Sequence, residues 1–314
     1  MTPEISVVVP FLDERESIRS LHRELHEALD PLETTYEIIL VDDGSSDGSW
    51  ELAAALAEEH ADTVAIRLRR NFGKAAALDA GFREARGRRI VTLDADLQDP
   101  PNQIPLLVAK LDEGWDLVSG WKIDRRDPWT KRLPSGLFNR VIRAATGIPL
   151  HDFNCGLKAY TADVIQDLRL YGELHRFIPV LVESRGFRVT EIPVAHRPRE
   201  HGKSKYGARR LAKGTLDFVT VVLMTRFNAR PLHFIGGTGL AFVLTGAAIL
   251  GYLTVLWWQG IRPIGTRPLF FLGILLVLVG VQLLGTGLVA ELVVQSDLIQ
   301  RTAYEIRETR GRRS

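Results

Sequence analysis

The chain has almost nothing to hold it together covalently: Cys155 is its single cysteine in 314 residues. One thiol excludes an internal disulfide framework and suits a reducing compartment. Glycine-rich phosphate loops are missing too, since neither a Walker loop nor a dinucleotide fingerprint occurs. No signal peptide is expected, because the apolar run at residues 5–10 is short and lacks a basic flank. Charge itself is absent from two long stretches: residues 232–258 and 269–290 contain no Asp, Glu, Lys or Arg. Both exceed the ~20 apolar residues that cross a hydrocarbon core, so two transmembrane helices are expected over 232–258 and 269–292. A buried helical hairpin in a soluble domain is the alternative. Trp257 and Trp258 suit an interfacial belt, and Arg262-Pro263 opens a short connecting loop. No charge stands in the middle of either span, which argues against a channel; Glu291 lies at the end of the second. Gly236, Gly237, Gly239, Gly280, Gly285 and Gly287 would permit close helix contacts, and with them a homo-oligomer.

Charged residues make up 25% of the chain and apolar ones 46%, a composition that folds. The formal net charge is only +2, but it is unevenly spread. Between residues 201 and 230, Lys203, Lys205, Arg209, Arg210, Lys213, Arg226 and Arg230 face Asp217 as the only acid. A second basic cluster comprises Lys122, Arg125, Arg126, Lys131, Arg132, Arg140 and Arg143. Such surfaces attract phosphates, nucleic acid or anionic lipid. The tail adds Arg301, Arg307, Arg310, Arg312 and Arg313, whereas the loop between the spans has only Arg262 and Arg267. The positive-inside rule therefore puts the amino-terminal domain and the tail in the cytoplasm. Residues 204–225 mix basic side chains with an apolar run, as do helices lying on a membrane surface; helix packing between the domain and the spans is the alternative.

The first ~120 residues alternate short apolar runs with helical patterns, which predicts a mostly parallel sheet covered on both faces, an α/β fold. Strands are expected at residues 5–9, 37–41, 64–67, 90–93 and 117–119, with helices at 17–28, 49–59, 74–85 and 102–111. In such folds ligands sit beyond the carboxyl ends of the strands. Asp13 and Glu14, Asp42 and Asp43, and Asp94 and Asp96 all fall there.

Asp94-Ala95-Asp96-Leu97-Gln98-Asp99-Pro100-Pro101 is the most informative stretch. Carboxylates two apart, with the Gln98 amide oxygen two further on, can converge on a hard divalent cation, Mg²⁺ or Mn²⁺. The bland reading is a solvated turn in which Asp99 caps the helix after Pro100-Pro101. Asp43, Ser45, Asp47 and Gly48 imitate the start of a calcium-binding EF-hand loop, but position 54, where its closing Glu belongs, is Ala54. What remains is an Asx turn with a helix cap, or an acidic edge that binds a nucleotide. Asn71-Phe72-Gly73-Lys74 opens a helix of small residues, suited either to phosphate at its amino terminus or to close packing.

Taken together in this order, these stretches resemble the inverting family 2 glycosyltransferases with a GT-A fold, specifically the polyprenyl-phosphate (dolichyl-phosphate mannose synthase-like) hexosyltransferases. The carrying segments are residues 5–14, 41–49, 70–81 and 92–101, Asp152-Phe153-Asn154-Cys155-Gly156-Leu157-Lys158-Ala159-Tyr160, and His201-Gly202-Lys203-Ser204-Lys205-Tyr206. The resemblance implies a nucleotide-sugar donor, a polyprenyl phosphate acceptor and no nucleic acid partner; glucose, mannose, galactose and N-acetylhexosamine donors on uracil or guanine all fit the motifs, with UDP-glucose favoured and GDP-mannose the alternative. It implies that Pro10, Leu12, Glu14 and Asp43 line the nucleoside pocket with Asp42 beside it, that Asp94 and Ala95 touch the donor, and that Asp94, Asp96 and Gln98 hold Mg²⁺ or Mn²⁺. Lys74, Arg199 and Lys205 match donor-binding positions, the last two gripping the diphosphate. Arg132 and Ser135 match the segment that clamps donor and acceptor phosphates, with Lys131 as the alternative to Arg132. The implied organisation is a catalytic domain at 1–200, basic juxtamembrane helices at 201–231, the two spans, and a basic tail at 293–314.

A lipid monophosphate is largely dianionic at neutral pH, its second pKa being near ~6, and is already a nucleophile. No dedicated general base is therefore expected, and Glu173, His175 and Glu183 are read as structural or positioning groups. Processive polysaccharide synthases usually carry a Gln-x-x-Arg-Trp motif and more spans, and this chain has neither. A non-catalytic scaffold would not need Lys74, Asp94, Asp96 and Lys205 intact.

Overall fold

The computed structural model describes residues 2–123, 139–140, 142–143, 146–166, 168, 170, 172, 174–197 and 231–300, with backbone alone at 231 and 293–300. Lys131, Arg132, Ser135, Glu173, Arg199, Lys205, the expected surface helices and the end of the tail lie outside the described residues. The chain divides into two compact units, residues 1–221 and 222–314.

The first unit is a twisted sheet between two layers of helix. Its described elements are β1 (Ile5–Phe11), α1 (Ile18–Leu29), β2 (Tyr36–Asp42), α2 (Ser49–Glu59), β3 (Thr63–Arg67), α3 (Lys74–Glu84), β4 (Arg89–Thr92), α4 (Ile104–Asp112), β5 (Leu117–Lys122), β6 (Lys158–Thr161), α5 (Ala162–Gln166), α6 (Ile178–Glu183) and β7 (Val189–Val194). The strand order is β3-β2-β1-β4-β6-β5-β7, and only β6 runs antiparallel to its neighbours.

All five expected strands and four expected helices are present. The central strands are buried on both faces, as parallel strands under helical crossovers must be. Val7, Val9, Ile38, Leu40 and Val91 pack with α1, α2 and α4 on one face. Val8, Ile39, Val41 and Ile90 pack with α3, α5 and α6 on the other. Each such side chain contributes about 1.5–3 kcal/mol when fully buried, so these strands carry much of the domain's stability.

Strands β6 and β7 have no counterpart among the sequence-based expectations. β6 is only four residues long and begins with a lysine, and β7 at the sheet edge is mostly half-buried, so neither shows a sustained apolar run. β6 matters for the site because it runs backwards. Its first residue, Lys158, pairs with Thr92, the last residue of β4, and so lies at the carboxyl edge of the parallel strands.

The second unit consists of α7 (Pro231–Trp258) and α8 (Pro268–Gln300). Leu232–Trp258 and Pro268–Leu292 are long and apolar enough to cross a membrane. A soluble core hairpin would cover its apolar side chains, but here Leu244, Tyr252, Phe271, Leu278 and Val289 are exposed. Uniformly apolar helices with exposed surfaces match a lipid environment.

Glycine lets the two helices touch. A Cβ on Gly239 would lie 2.7 Å from the Gly280 carbonyl oxygen, and one on Gly246 would lie 2.7 Å from that of Gly273. Gly273, Gly280 and Gly287 recur every seventh residue, as do Gly239 and Gly246, which keeps small residues on one seam of each helix. Gly237 and Gly285, also read as contact glycines, lie off the seam, and a Cβ on either would meet nothing within 4 Å. At the open end of the hairpin, Glu291 Oε2 accepts the Leu232 amide at 3.2 Å, placing a carboxylate at the amino terminus of α7.

Gly280→Leu is expected to force the helices apart and cost about 1–3 kcal/mol. Gly285→Leu should be nearly neutral. Thermal unfolding of the full chain in detergent, followed by helical circular dichroism, checks the contrast; equal midpoints would refute this seam.

Candidate active site

The loops that leave β1 to β4 are stitched side by side along the carboxyl edge of the sheet. From the first loop, the Asp13 amide donates to Ser45 Oγ at 2.9 Å and the Glu14 amide to Ser49 Oγ at 2.9 Å. In return, Asp13 Oδ1 accepts the Ser46 amide at 2.9 Å. Asp13 adopts a left-handed φ of 51°, a conformation that short polar residues tolerate.

Asp42 and Asp43 divide the next task. Asp42 Oδ1 accepts the Ser45 amide at 2.8 Å, an Asx turn, and Oδ2 faces Arg67 Nε at 3.3 Å. Asp43 is buried and reaches the loop after β3, accepting the amides of Phe72 at 2.7 Å and Gly73 at 2.9 Å. Burial raises the Asp43 carboxyl above its ordinary value, although the two amide hydrogen bonds pull it down. Both expected options for this stretch thus begin from a turn, with Asp47 Oδ1 accepting the Ser49 amide at the start of α2. Glu14 bonds locally: its Oε2 accepts the Ser17 hydroxyl at 3.2 Å, and Pro10 and Leu12 flank the same loop.

Lys74, the first residue of α3, donates a short hydrogen bond to Asp94 Oδ1. This contact joins the loop after β3 to the acidic loop after β4. In that loop burial alternates: Ala95, Leu97 and Asp99 are buried, whereas Asp94, Asp96 and Gln98 remain accessible. The three oxygen-bearing residues singled out by spacing are thus the partly exposed ones. Leu97 has φ 59°, rare for a branched side chain, and its burial offsets a strain of about 1–3 kcal/mol.

Asp99 does not cap the following helix, contrary to the expectation of a solvated turn. The cap position is Pro100, without a side-chain bond, and Asp99 is fully buried with Lys122 Nζ at 2.6 Å and His196 Nδ1 at 3.4 Å. Burial alone would raise the Asp99 carboxyl; His196 and Lys122 outweigh it and hold it below its ordinary range. Burial likewise opposes the Lys122 ammonium, but Asp99 reverses the shift and keeps it charged. From the far side, the Arg197 amide donates to the Gln98 carbonyl oxygen at 2.8 Å. The acidic loop is thus held at Asp94, Gln98 and Asp99.

The 152–160 stretch supplies the floor. Thr92 Oγ1 donates to the Gly156 carbonyl at 2.9 Å, and a Cβ on Gly156 would lie 2.5 Å from Asp94 Oδ2. Glycine at 156 therefore makes room for the Asp94 carboxylate. Lys158 is buried and donates to the Cys155 carbonyl; burial lowers its pKa. Burial pushes the Cys155 thiol up to about 12, so it stays protonated and unreactive. For Asp94, burial raises the carboxyl, while Lys74 first and then Lys122 bring it below its ordinary value. His175 is itself held well below the usual imidazole range, first by burial and then by Lys74 and Arg176, so it is neutral and weakly basic. Glu183 is exposed at the end of α6, which leads into the start of β7 and so lies at the opposite edge of the sheet.

Lys122, Gly156, Lys158 and His196 are parts of this site to which the sequence assigned no role. Lys122 counted only as one member of a basic cluster, and Gly156 and Lys158 only as letters of a family motif. What gives them work is β6 returning antiparallel beside β4, which no local pattern announces.

Residues 6–169 match the model of Glycosyl transferase family 2. The chain belongs to that family. A dodecaprenyl-phosphate galacturonate synthase of Rhizobium johnstonii is 39% identical to this transferase over 298 residues, covering 93% of this chain and 88% of that protein. An undecaprenyl-phosphate 4-deoxy-4-formamido-L-arabinose transferase of Aeromonas hydrophila is 38% identical over 307 residues, covering 97% and 93%. Among solved structures, glucosyl-3-phosphoglycerate synthase from Mycobacterium tuberculosis, in complex with Mn²⁺, uridine diphosphate and phosphoglyceric acid, aligns with a TM-score of 0.54. It is 21% identical and covers 71% of this chain and 78% of that one, a likeness that shows the GT-A fold.

Gly156→Ala in the transferase is expected to displace the Asp94 carboxylate and break its pairing with Lys74. Misplacement by about 1 Å can cost about 100-fold in rate. Turnover should fall by that order while the melting temperature changes little; an alanine variant with unaltered turnover would show that Asp94 does not need its position.

Proposed function

We propose that the chain moves a sugar from a nucleoside-diphosphate donor to a polyprenyl phosphate, with inversion at the anomeric carbon and with a divalent cation at Asp94, Asp96 and Gln98. The observation that supports this reading is the acidic loop at the carboxyl edge of the sheet, where Asp94 pairs with Lys74 and the oxygen-bearing Asp96 and Gln98 are likewise partly exposed. Carboxylate and amide oxygens fit Mg²⁺ or Mn²⁺, and such sites leave positions for phosphate oxygens. Both relatives named above carry a polyprenyl-phosphate product or acceptor in their names, and the apolar helices α7 and α8 suit a lipid acceptor. Mn²⁺ and uridine diphosphate occur together in the M. tuberculosis synthase of the same fold.

A cation held there would neutralise charge on the departing diphosphate. Lys74 adds a second positive charge at the amino terminus of α3, where backbone amides already favour phosphate. Asp43 fixes the Phe72–Gly73 turn that delivers Lys74, and Asp42, Pro10, Leu12 and Glu14 shape the edge for the nucleoside. Arg199 and Lys205 follow Arg197, whose backbone is tied to Gln98, and are proposed to grip the diphosphate. Arg132 and Ser135, with Lys131, are proposed to hold the acceptor phosphate. A phosphate oxygen forms the new bond to the anomeric carbon as the bond to the diphosphate oxygen breaks. No proton has to be removed, which fits the weakly basic His175. Attack from the face opposite the leaving group turns an α-linked donor into a β-linked product.

The basic tail and juxtamembrane segment support a cytoplasmic site at the inner leaflet, with residues 204–225 on its surface. UDP-glucose is the first donor to test and GDP-mannose the second. UDP-galacturonate joins them because of the R. johnstonii relative's name.

The test incubates the full chain with Mg²⁺ or Mn²⁺, polyprenyl phosphate and a panel of labelled nucleotide sugars. A lipid-extractable product from one donor is expected, falling about 100-fold or more in Asp96→Asn. No product from any donor would end the proposal. Because a general base contributes about 10²–10⁴-fold, His175→Ala and Glu173→Gln should each lose less than about tenfold. Loss of turnover in both, with donor binding intact, would restore a protein base to the mechanism.

A further inference from the structure

At the opposite edge of the sheet from the acidic loop, three histidines converge from two helices. His22 and His26 stand one turn apart on α1, and His60 ends α2 just before β3. One ring nitrogen from each lies within 4.8 Å of the others. The rings pack with centroid separations of 4.5 Å, 4.6 Å and 5.1 Å. Thr63, which touches the group, pairs with Ile38 near the start of β2, so the cluster is remote from Asp94 and Asp96.

We propose that His22, His26 and His60 form a second metal centre, for Zn²⁺ or a similar borderline transition cation.

Spacing, protonation and chemistry support it. His22 Nε2 and His26 Nε2 are 3.4 Å apart. Two imidazoles on one tetrahedral Zn²⁺, with Zn–N near 2.0–2.1 Å, have nitrogens about 3.3 Å apart. The tautomer of His26 follows from its neighbours. Tyr36 donates its phenol proton to Asp30, so its oxygen must accept from His26 Nδ1, 2.7 Å away. His26 Nε2 is left with a lone pair aimed at His22. This His–Tyr–Asp chain is the outer-sphere arrangement that orients a ligating imidazole. His22 Nε2 also lies 2.9 Å from Thr63 Oγ1, which donates to Asp62 Oδ1 at 3.1 Å. The His22 proton thus sits between His26 and Thr63, where a cation bound to Nε2 would stand once the proton has moved to Nδ1 and left the ring neutral.

Asp62 Oδ2, 3.9 Å from His26 Nδ1, adds negative charge beside the centre. His22 is buried, whereas His26 and His60 are half-exposed, which gives a cation a path in and leaves a position for water. Imidazole nitrogen selects Zn²⁺ over Mg²⁺, so the two edges of the sheet would take different metals. Bound there, the cation ties the middle of α1 to the α2–β3 junction.

The test uses the full chain in detergent, purified without a polyhistidine tag, in an Asp96→Asn background that weakens the acidic-loop site. Co²⁺ titration should give one equivalent with the visible d–d bands of a four- or five-coordinate ion, displaced by Zn²⁺ and not by Mg²⁺. Zn²⁺ at 100 times its dissociation constant should raise the melting temperature by about 5 °C. His60→Gln and His26→Gln should each abolish the bands. Their melting temperatures in chelator, compared with that of the parent, verify that the variants are folded. Absence of the bands in Asp96→Asn would overturn the proposal, as would bands that survive in both folded histidine variants.

Discussion

The Lys74–Asp94 contact is the constraint on which the rest of the candidate site depends. It joins the first residue of α3 to the first acidic residue after β4, so two crossovers of the sheet share one charged link. Asp43 works one step upstream, because its buried carboxylate shapes the turn from which Lys74 projects. Gly156 works one step to the side by leaving the space in which the Asp94 carboxylate sits. Removing any of these contacts would still leave a parallel sheet. It would not leave the Asp94 carboxylate held beside a positive charge.

Behind this contact lies a second ion pair with a different purpose. Asp99 and Lys122 are both largely buried, and a buried pair is weak evidence for stability because desolvation offsets the attraction. Its value here is positional: it ties the end of the acidic loop to the end of β5, while Arg197 ties Gln98 to the chain leaving β7. A loop fixed at several points can present charge without first being ordered by its ligand.

Much of this arrangement was legible in the sequence, for identifiable reasons. Strands buried on both faces leave continuous apolar runs, so β1, β2, β4 and β5 could be read directly, and the half-buried edge strand β3 from its short run of Val64, Ala65 and Ile66. The helices between them began at Ser49 and Lys74 as expected. Asp94, Asp96 and Gln98 could be picked out because their spacing of two is a local property. β6 and β7 could not, being short or edge strands whose side chains carry no sustained pattern. Lys122, Lys158 and His196 escaped for the same reason, since their roles arise from long-range pairing between β4, β5, β6 and β7. In the apolar helices composition revealed length, but it did not distinguish Gly239 and Gly280, which touch, from Gly237 and Gly285, which do not. That distinction needs the seven-residue phase of the seam.

Leu97 stands in its left-handed conformation between the partly exposed Asp96 and Gln98, so which residues of this loop face inward is set by one backbone turn. Substitution and change of length therefore act on it in different ways. Replacing one side chain alters one position. Deleting one residue within 95–97 would remove that turn and draw Gln98 and Asp99 away from the places where Arg197 and Lys122 hold them. For this segment, the number of residues is under tighter constraint than the identity of any buried one.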